Sequence, residues 1–265
     1  MPDRNAERVA SQWDENARPW SVFVRGGHDL YRDFFTFPAL QAILPPLAGR
    51  ELVDFGCGEG SNTRRFARMG ARMTGIDLSP EMIRIASDAE QAEPLGVDYR
   101  VASYCEDTGL PAASFDGVVS TMALMDGPGI EEAMREAYRL VRPGGFLAFS
   151  VLHPCFFTRG MKLLKDREGQ VSALRVAGYF DDTPYREPLP GLRWRHGGGE
   201  ETEMLVLRYP RTIGAYCNAV AQAGFRIVRM DEPRPSPEAC ARVPGMAIWR
   251  EIGAFLLVLH AERPA

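Results

Sequence analysis

An α/β fold, a mostly parallel sheet with helices on both faces, is predicted by three features of this 265-residue chain. Strand-like and helix-like patterns alternate from residue 51 to residue 153, the order expected when helices cross between parallel strands. One strand, Phe146-Leu147-Ala148-Phe149-Ser150-Val151-Leu152, is apolar almost throughout, as a strand covered on both faces must be. The first strand ends in an acid followed by glycines at 56, 58 and 60, a turn suited to bringing backbone against a ligand.

The elements follow in order. Residues 1–48 hold Trp13, Trp20, Phe23, Tyr31, Phe34, Phe35 and Phe37, an amphipathic prelude expected to be helical and to fold over the mouth of the sheet. Most of these aromatics are expected to pack, and a few to line a site. Residues 51–55 read as the first strand, 61–69 as its helix and 71–76 as the second strand. Ser79 offers an N-cap, Pro80 suits the first helical position, and Glu81 complements the positive helix end. Met82, Ile83, Ile85, Ala86 and Ala89 supply the buried side of that helix. Residues 97–102 and 115–121 read as the third and fourth strands. Apolar residues recur with helical spacing between Gly129 and Arg142, where Pro143-Gly144-Gly145 stops the helix before a fifth strand at 146–152.

After His153 the alternation lapses for about fifty residues, too many for a plain loop in a compact domain. Residues 154–207 are therefore expected to form an inserted cap with its own strands or helices. Prolines at 184, 188 and 190 and the run Gly197-Gly198-Gly199 punctuate it, and Met204 to Leu207 suggests an edge strand. A helix from Arg211 to Gly224 and strands at 225–230 and 253–260 complete the sheet, with an irregular, proline-rich loop expected at 232–247. The expected organisation is a lid at 1–48, a main domain at 49–153 with 208–265, and the cap between.

Composition narrows the function classes. An apolar content of 45% can bury a core, and a net charge of −4 gives no general attraction to nucleic acid or anionic membranes. Five cysteines without a C-x-x-C pair suit a reducing compartment. The first residues carry no apolar signal core, and no apolar run is long enough to span a bilayer, so a soluble, cytoplasmic protein is expected. No metal or ATP signature is present in the sequence.

The glycine spacing distinguishes two nucleotide turns. G-x-G-x-x-G from Gly56 would require glycine at 61, where Ser61 stands; the pattern present is D-x-G-x-G-x-G, formed by Asp54, Gly56, Gly58 and Gly60. Asp77, ending the second strand 17 residues after Gly60, is placed to accept both hydroxyls of a ribose. With Ser79-Pro80-Glu81-Met82, Phe115-Asp116-Gly117-Val118-Val119-Ser120 and Leu140-Val141-Arg142-Pro143-Gly144-Gly145 in the same order, residues 50–153 resemble the class I S-adenosylmethionine-dependent methyltransferases.

The resemblance implies a Rossmann-like, seven-stranded sheet with an antiparallel last strand. It implies S-adenosylmethionine as cofactor, S-adenosylhomocysteine as product, and methyl transfer to an oxygen or nitrogen of a small-molecule metabolite or natural product. Rival readings are a non-catalytic holder of the adenosyl ligands and a methyltransferase acting on protein or RNA. A nicotinamide oxidoreductase is opposed by Ser61.

By the same resemblance, Asp54 and the glycines serve the amino-acid end of the cofactor, and Leu78 and Met82 flank its adenine. The adenine amino group falls to Ser103, or to Glu106 or Asp107; Tyr104 offers its backbone N–H and a side chain free to stack. Thr121 and Met122 are expected to meet the cofactor through their backbone, and Asp126 to lie near the acceptor. His153, ending the fifth strand, is either the general base or a structural hydrogen-bonding residue. Arg25, Tyr31, Arg211 and Tyr216 are further acceptor-site candidates, and Arg25 or Arg32 suits a carboxylate.

Overall fold

A computed structural model describes residues 4–195 and 201–265, so the Gly197–Gly199 run lies outside the described residues. The chain opens with helix α1 (Arg4–Arg25), whose Val9, Trp13, Ala17, Trp20 and Val24 form one apolar stripe. A π-helical turn (Arg32–Thr36) and α2 (Phe37–Gln41) complete the helical prelude.

The main sheet follows as β1 (Glu51–Phe55), α3 (Ser61–Arg68), β2 (Arg72–Asp77), α4 (Pro80–Ala92), β3 (Asp98–Val101), β4 (Phe115–Thr121), α5 (Ile130–Leu140) and β5 (Val141–Leu152). It is completed by α6 (Ile213–Gln222), β10 (Arg226–Asp231), α7 (Pro237–Arg242), α8 (Ala247–Glu251) and β11 (Leu256–Glu262). Between β5 and α6 lie two antiparallel hairpins, β6 (Lys162–Lys165) with β7 (Val171–Arg175) and β8 (Tyr185–Arg195) with β9 (Glu201–Arg208).

The strand order β10-β11-β5-β4-β1-β2-β3 makes one seven-stranded sheet, parallel from β3 through β5, with β11 antiparallel to both neighbours. This is the predicted Rossmann-like fold. The order reverses between β1 and β4, so the crevice at their carboxyl ends is where an open α/β sheet takes a ligand. One apolar cluster packs α5 and α6 on one face, through Met134, Phe149 and Val220. Another packs α2, α3 and the prelude on the other, through Phe35, Leu40 and Phe66.

Local signals account for most boundaries. Ser79 Oγ accepts from Met82 N–H at 3.0 Å, and Asp14 of α1 reaches over to accept from Ser79 Oγ and Glu81 N–H, capping α4 twice. Thr212 caps α6 in the same way, and Gly224, at φ +106°, follows its end.

Two expectations are corrected. Pro143-Gly144-Gly145 does not separate helix from strand: β5 already pairs at Val141, and the turn is a bulge inside it, where the register jumps between Phe115 and Gly117. Residues 232–247 are not irregular throughout, because Ser236-Pro237 caps and starts α7 much as Ser79-Pro80 starts α4. Met204–Leu207 belongs to β9, which pairs with β8 alone and is an edge strand of a separate two-stranded ribbon. Among the described residues no helix is long and apolar enough to cross a membrane.

Candidate functional site

A cavity of about 1250 Å³ opens over the carboxyl ends of β1 and β4. Its floor begins with the glycine turn, where Gly56, Gly58 and Gly60 hold φ of +70°, +55° and +88°, angles that side chains resist. A Cβ at Gly56 would stand 2.5 Å from the Ala123 Cβ, and at Gly60 it would stand 2.5 Å from Tyr99 Oη; both glycines are needed for close packing. A Cβ at Gly58 would meet nothing within 4 Å, so this residue leaves open space on the cavity side. Gly60 lies behind the turn, off the cavity wall.

Most N–H groups of the turn are already committed. Gly56 and Cys57 donate to the Ile76 carbonyl at 2.9 and 3.0 Å, and Gly58 donates to Asp77 Oδ2 at 2.9 Å. Asp77 Oδ1 accepts from Ser79 N–H, also at 2.9 Å, which fixes the carboxylate plane at the cavity edge. Each oxygen keeps a second lone pair for a ligand hydroxyl. Burial raises the Asp77 pKa above the ordinary carboxylate value, opposed by these two backbone donors.

Asp54 does not reach the cavity. It is 1% exposed beneath the turn, with Oδ2 accepting from Thr63 Oγ1 at 2.6 Å and Oδ1 without a partner among the described residues. Desolvation pushes its pKa up to about 7. Glu59, also buried, ties the turn to the prelude: it accepts from Arg25 Nε at 3.0 Å and Ser61 Oγ at 2.9 Å, with Arg32 Nη1 3.9 Å away.

On the β3 side Leu78, Ser103, Tyr104 and Glu106 line the cavity. Ser103 Oγ accepts from Cys105 N–H at 3.2 Å, whereas Asp107 turns away to Arg139. The Tyr104 ring lies with one face on Phe55, centroids 5.8 Å apart, and its hydroxyl donates to the Ala123 carbonyl. Met82 is a packing residue between α1 and α4, in a cluster with Ala17 and Ile85, and takes no part in the cavity wall.

After β4, Thr121, Met122 and Asp126 all line the cavity. Met122 has φ +57°, a strained angle for a side-chain-bearing residue, and its N–H donates to the Ser150 carbonyl at 2.9 Å. That amide is spent, so the expected backbone contact at Met122 cannot use it. Thr121 Oγ1 is buried without a hydrogen-bond partner among the described residues. Asp126 pairs with Arg208 at the end of β9, and Arg208 Nε also donates to Glu187 on β8.

Several acceptor-site candidates have other duties. His153 is 1% exposed and off the cavity wall; its Nδ1 accepts from Cys155 N–H at 3.2 Å, which leaves Nε2 to donate to Glu232 at 2.7 Å. With both ring nitrogens engaged, it holds the turn after β5 to the end of β10 and does not face the cavity. Arg25 is held by Glu59 and by the carbonyls of Glu59 and Ile85. Arg211 grips the carbonyls of Leu124, Gly127 and Pro128 and stacks over Tyr216, which is buried in the core. Tyr31 does line the cavity.

The far wall is aromatic. Tyr31, Phe157, Trp249 and Phe255 line it, with Phe255 5.0 Å from both Tyr31 and Phe157 and 5.3 Å from Trp249. Phe157, Glu187, Arg208, Trp249 and Phe255 escaped the sequence reading because they come from segments without motifs. Arg208 alone carried a signal, a charge closing the apolar run Met204–Leu207.

Residues 53–149 match a family model described as a methyltransferase domain. A ubiquinone biosynthesis O-methyltransferase of Xanthomonas oryzae pv. oryzae (strain PXO99A) is 37% identical over 107 residues, 40% of this chain and 45% of that protein. A malonyl-acyl-carrier-protein O-methyltransferase of Enterobacter lignolyticus is 36% identical over 114 residues, 43% of each. The similarity thus spans less than half the length of these curated relatives. Over the whole fold, the chain is similar to an S-adenosylmethionine-dependent methyltransferase from Mesorhizobium loti, with a TM-score of 0.70 and 28% identity, covering 86% of this chain and 97% of that one. From the D-x-G-x-G-x-G turn, the sheet order and these similarities, residues 53–149 are a methyltransferase domain of the class I S-adenosylmethionine-dependent type, set in a fold similar to such a methyltransferase over 86% of this chain.

Proposed function

We propose that this chain transfers the methyl group of S-adenosylmethionine to an oxygen or nitrogen of a small, enclosed acceptor. One observation carries the reading: the glycine turn with Asp77 and the aromatic wall share a single cavity of about 1250 Å³. Pockets for one small ligand are commonly about 300–1,000 Å³, so there is room for cofactor and acceptor side by side.

S-adenosylmethionine is the cofactor, and the residues fit it. Asp77 would accept the ribose hydroxyls, and Leu78 with Ser103 or Glu106 would meet the adenine. The committed amides of the turn leave carbonyl oxygens, which suit an ammonium, while Arg32 in the cavity wall, with Nε and Nη2 on Asp33, would have Nη1 for the carboxylate. The open side of Gly58 is the feature a bound ligand would fill. When bound, the cofactor supplies an electrophilic methyl group on a sulfonium leaving group. The chain contributes alignment and exclusion of water, where well-oriented reactants gain about 7–11 kcal/mol.

Residues 1–48 act as the lid and 154–207 as the substrate cap in this reading. Gln12 of α1 donates to the Leu205 carbonyl and accepts from Leu207 N–H at 3.0 Å, joining helix and hairpin into a roof. A roofed cavity favours a metabolite over a protein or RNA chain. The test is incubation of the full chain with S-adenosylmethionine and panels of small phenols, carboxylic acids and amines, following S-adenosylhomocysteine by mass spectrometry. Methylation of at least one panel is expected. Cofactor binding without methylation of any small acceptor would contradict the proposal.

A further inference from the structure

The cavity contains a buried chain of charge that cofactor binding leaves unused. Asp126 follows β4, Glu187 lies on β8 and Arg208 ends β9, so the chain joins the sheet to the roof. All three line the cavity, and Asp126 and Arg208 are 6% and 8% exposed. Arg208 Nη1 occupies Asp126 Oδ1, and Oδ2 accepts no hydrogen bond among the described residues. We propose that Asp126 accepts the proton of a phenolic hydroxyl on the methyl acceptor, with Arg208 as the positioning residue that holds its carboxylate toward the cavity. This deepens the proposed function and rests on it.

The acceptor class follows from the wall and the charge. Tyr31, Phe157, Trp249 and Phe255 present ring surface to a flat ring. A carboxylate stabilises an aliphatic amine as its ammonium ion, which has no lone pair with which to attack. A hydroxyl needs the opposite service, since its oxygen must lose a proton as it bonds to carbon. The proton passes to Oδ2 while the oxygen electron pair is committed to the methyl carbon, and the sulfur keeps the electron pair of the bond that breaks.

The groups facing Asp126 are Arg208, Glu187 and Arg211, with the phenols of Tyr104 and Tyr216 beyond. Desolvation outweighs the pull of Arg208 and raises the Asp126 pKa to about 6. The group is therefore ionised at neutral pH yet basic enough to take a proton during reaction.

The first test uses the full chain with S-adenosylhomocysteine bound and 4-nitrophenol as a chromophoric probe. The wild-type chain should bind its neutral form and weaken its ionisation about tenfold or more relative to buffer. Asp126→Asn, which leaves Arg208 paired with Glu187 alone, should abolish that shift. No binding of the probe, an unshifted ionisation, or the same shift in both chains would overturn the proposal.

The second test is turnover of a series of phenols. The wild-type rate should fall as pH drops through about 6, while Asp126→Asn should lose about 10²–10⁴-fold, with smaller losses for more acidic phenols. Arg208→Lys should retain part of the rate with a displaced acid limb. Equal losses across all phenols would mark a structural effect and overturn the assignment. If Asp126→Asn does not fold, the wild-type probe shift and acid limb decide. Failure of folded wild-type chain to bind S-adenosylhomocysteine would instead overturn the cofactor reading beneath.

Discussion

Asp54 has one carboxylate oxygen on Thr63 and the other on no described partner, at the bottom of a turn that is to hold a cation. Burial is the main cause of its raised pKa, about 7 against an ordinary 3.8, so the folded chain holds a proton that the unfolded chain has lost between those values. The stability this group contributes is complete below about 3.8 and is lost as pH rises through about 7. A cofactor bearing a sulfonium and an ammonium favours the ionised form and so couples binding to proton release. Calorimetry near pH 6.5 in buffers of different ionisation enthalpy should detect release of up to one proton, absent above about pH 8.5 and in Asp54→Asn. Binding heats independent of buffer in the wild-type chain would contradict this account of Asp54.

The roof depends on a few side chains that join elements distant in sequence. Gln12 bonds both the Leu205 carbonyl and the Leu207 N–H, acting as a missing strand along β9. Gln12→Leu should lower stability by about 1–3 kcal/mol, because the buried Leu207 N–H loses its acceptor. It should also speed hydrogen exchange in α1 and β9 well beyond that in β4. Uniform exchange rates across these elements would show that the roof opens only with the whole fold. Such long-range links were illegible in the sequence, where α1 carried only an apolar stripe and β9 only a short apolar run. By contrast, β1, α4 and the 146–152 part of β5 were legible because their signals are local: an acid before glycines, Ser-Pro before an apolar helix face, and a continuous apolar strand. The bulge at Pro143–Gly145 and the helix begun by Ser236-Pro237 show the limit of local reading. In the first a turn signal sits inside a strand, and in the second a real cap was obscured by the prolines around it. His153 was ambiguous for a similar reason, since its type fits a base and its partners Cys155 and Glu232 lie outside any local pattern.

At the scale of the molecule, topology sets where chemistry can occur. Strand order reverses between β1 and β4, and the turn after one and the loop after the other become opposite sides of one cavity. The cofactor half of that cavity is built from residues close in sequence, where local motifs point to Gly56, Gly58 and Asp77 on the wall but also to Asp54, Gly60 and Met82, which lie off it. The acceptor half is assembled from the prelude, the β5 exit, the β8–β9 hairpin and the segment before β11. No periodicity or spacing links those four segments. The central claim, that this cavity holds S-adenosylmethionine with Asp77 on its ribose, is tested by calorimetric titration of the full chain and of Asp77→Ala. Charge-assisted hydrogen bonds contribute about 1.5–3 kcal/mol each, so the wild-type chain should bind at about micromolar strength and the variant at least about tenfold more weakly while still folded. Equal affinity in the two chains, or no binding to the folded wild-type chain, would contradict the account.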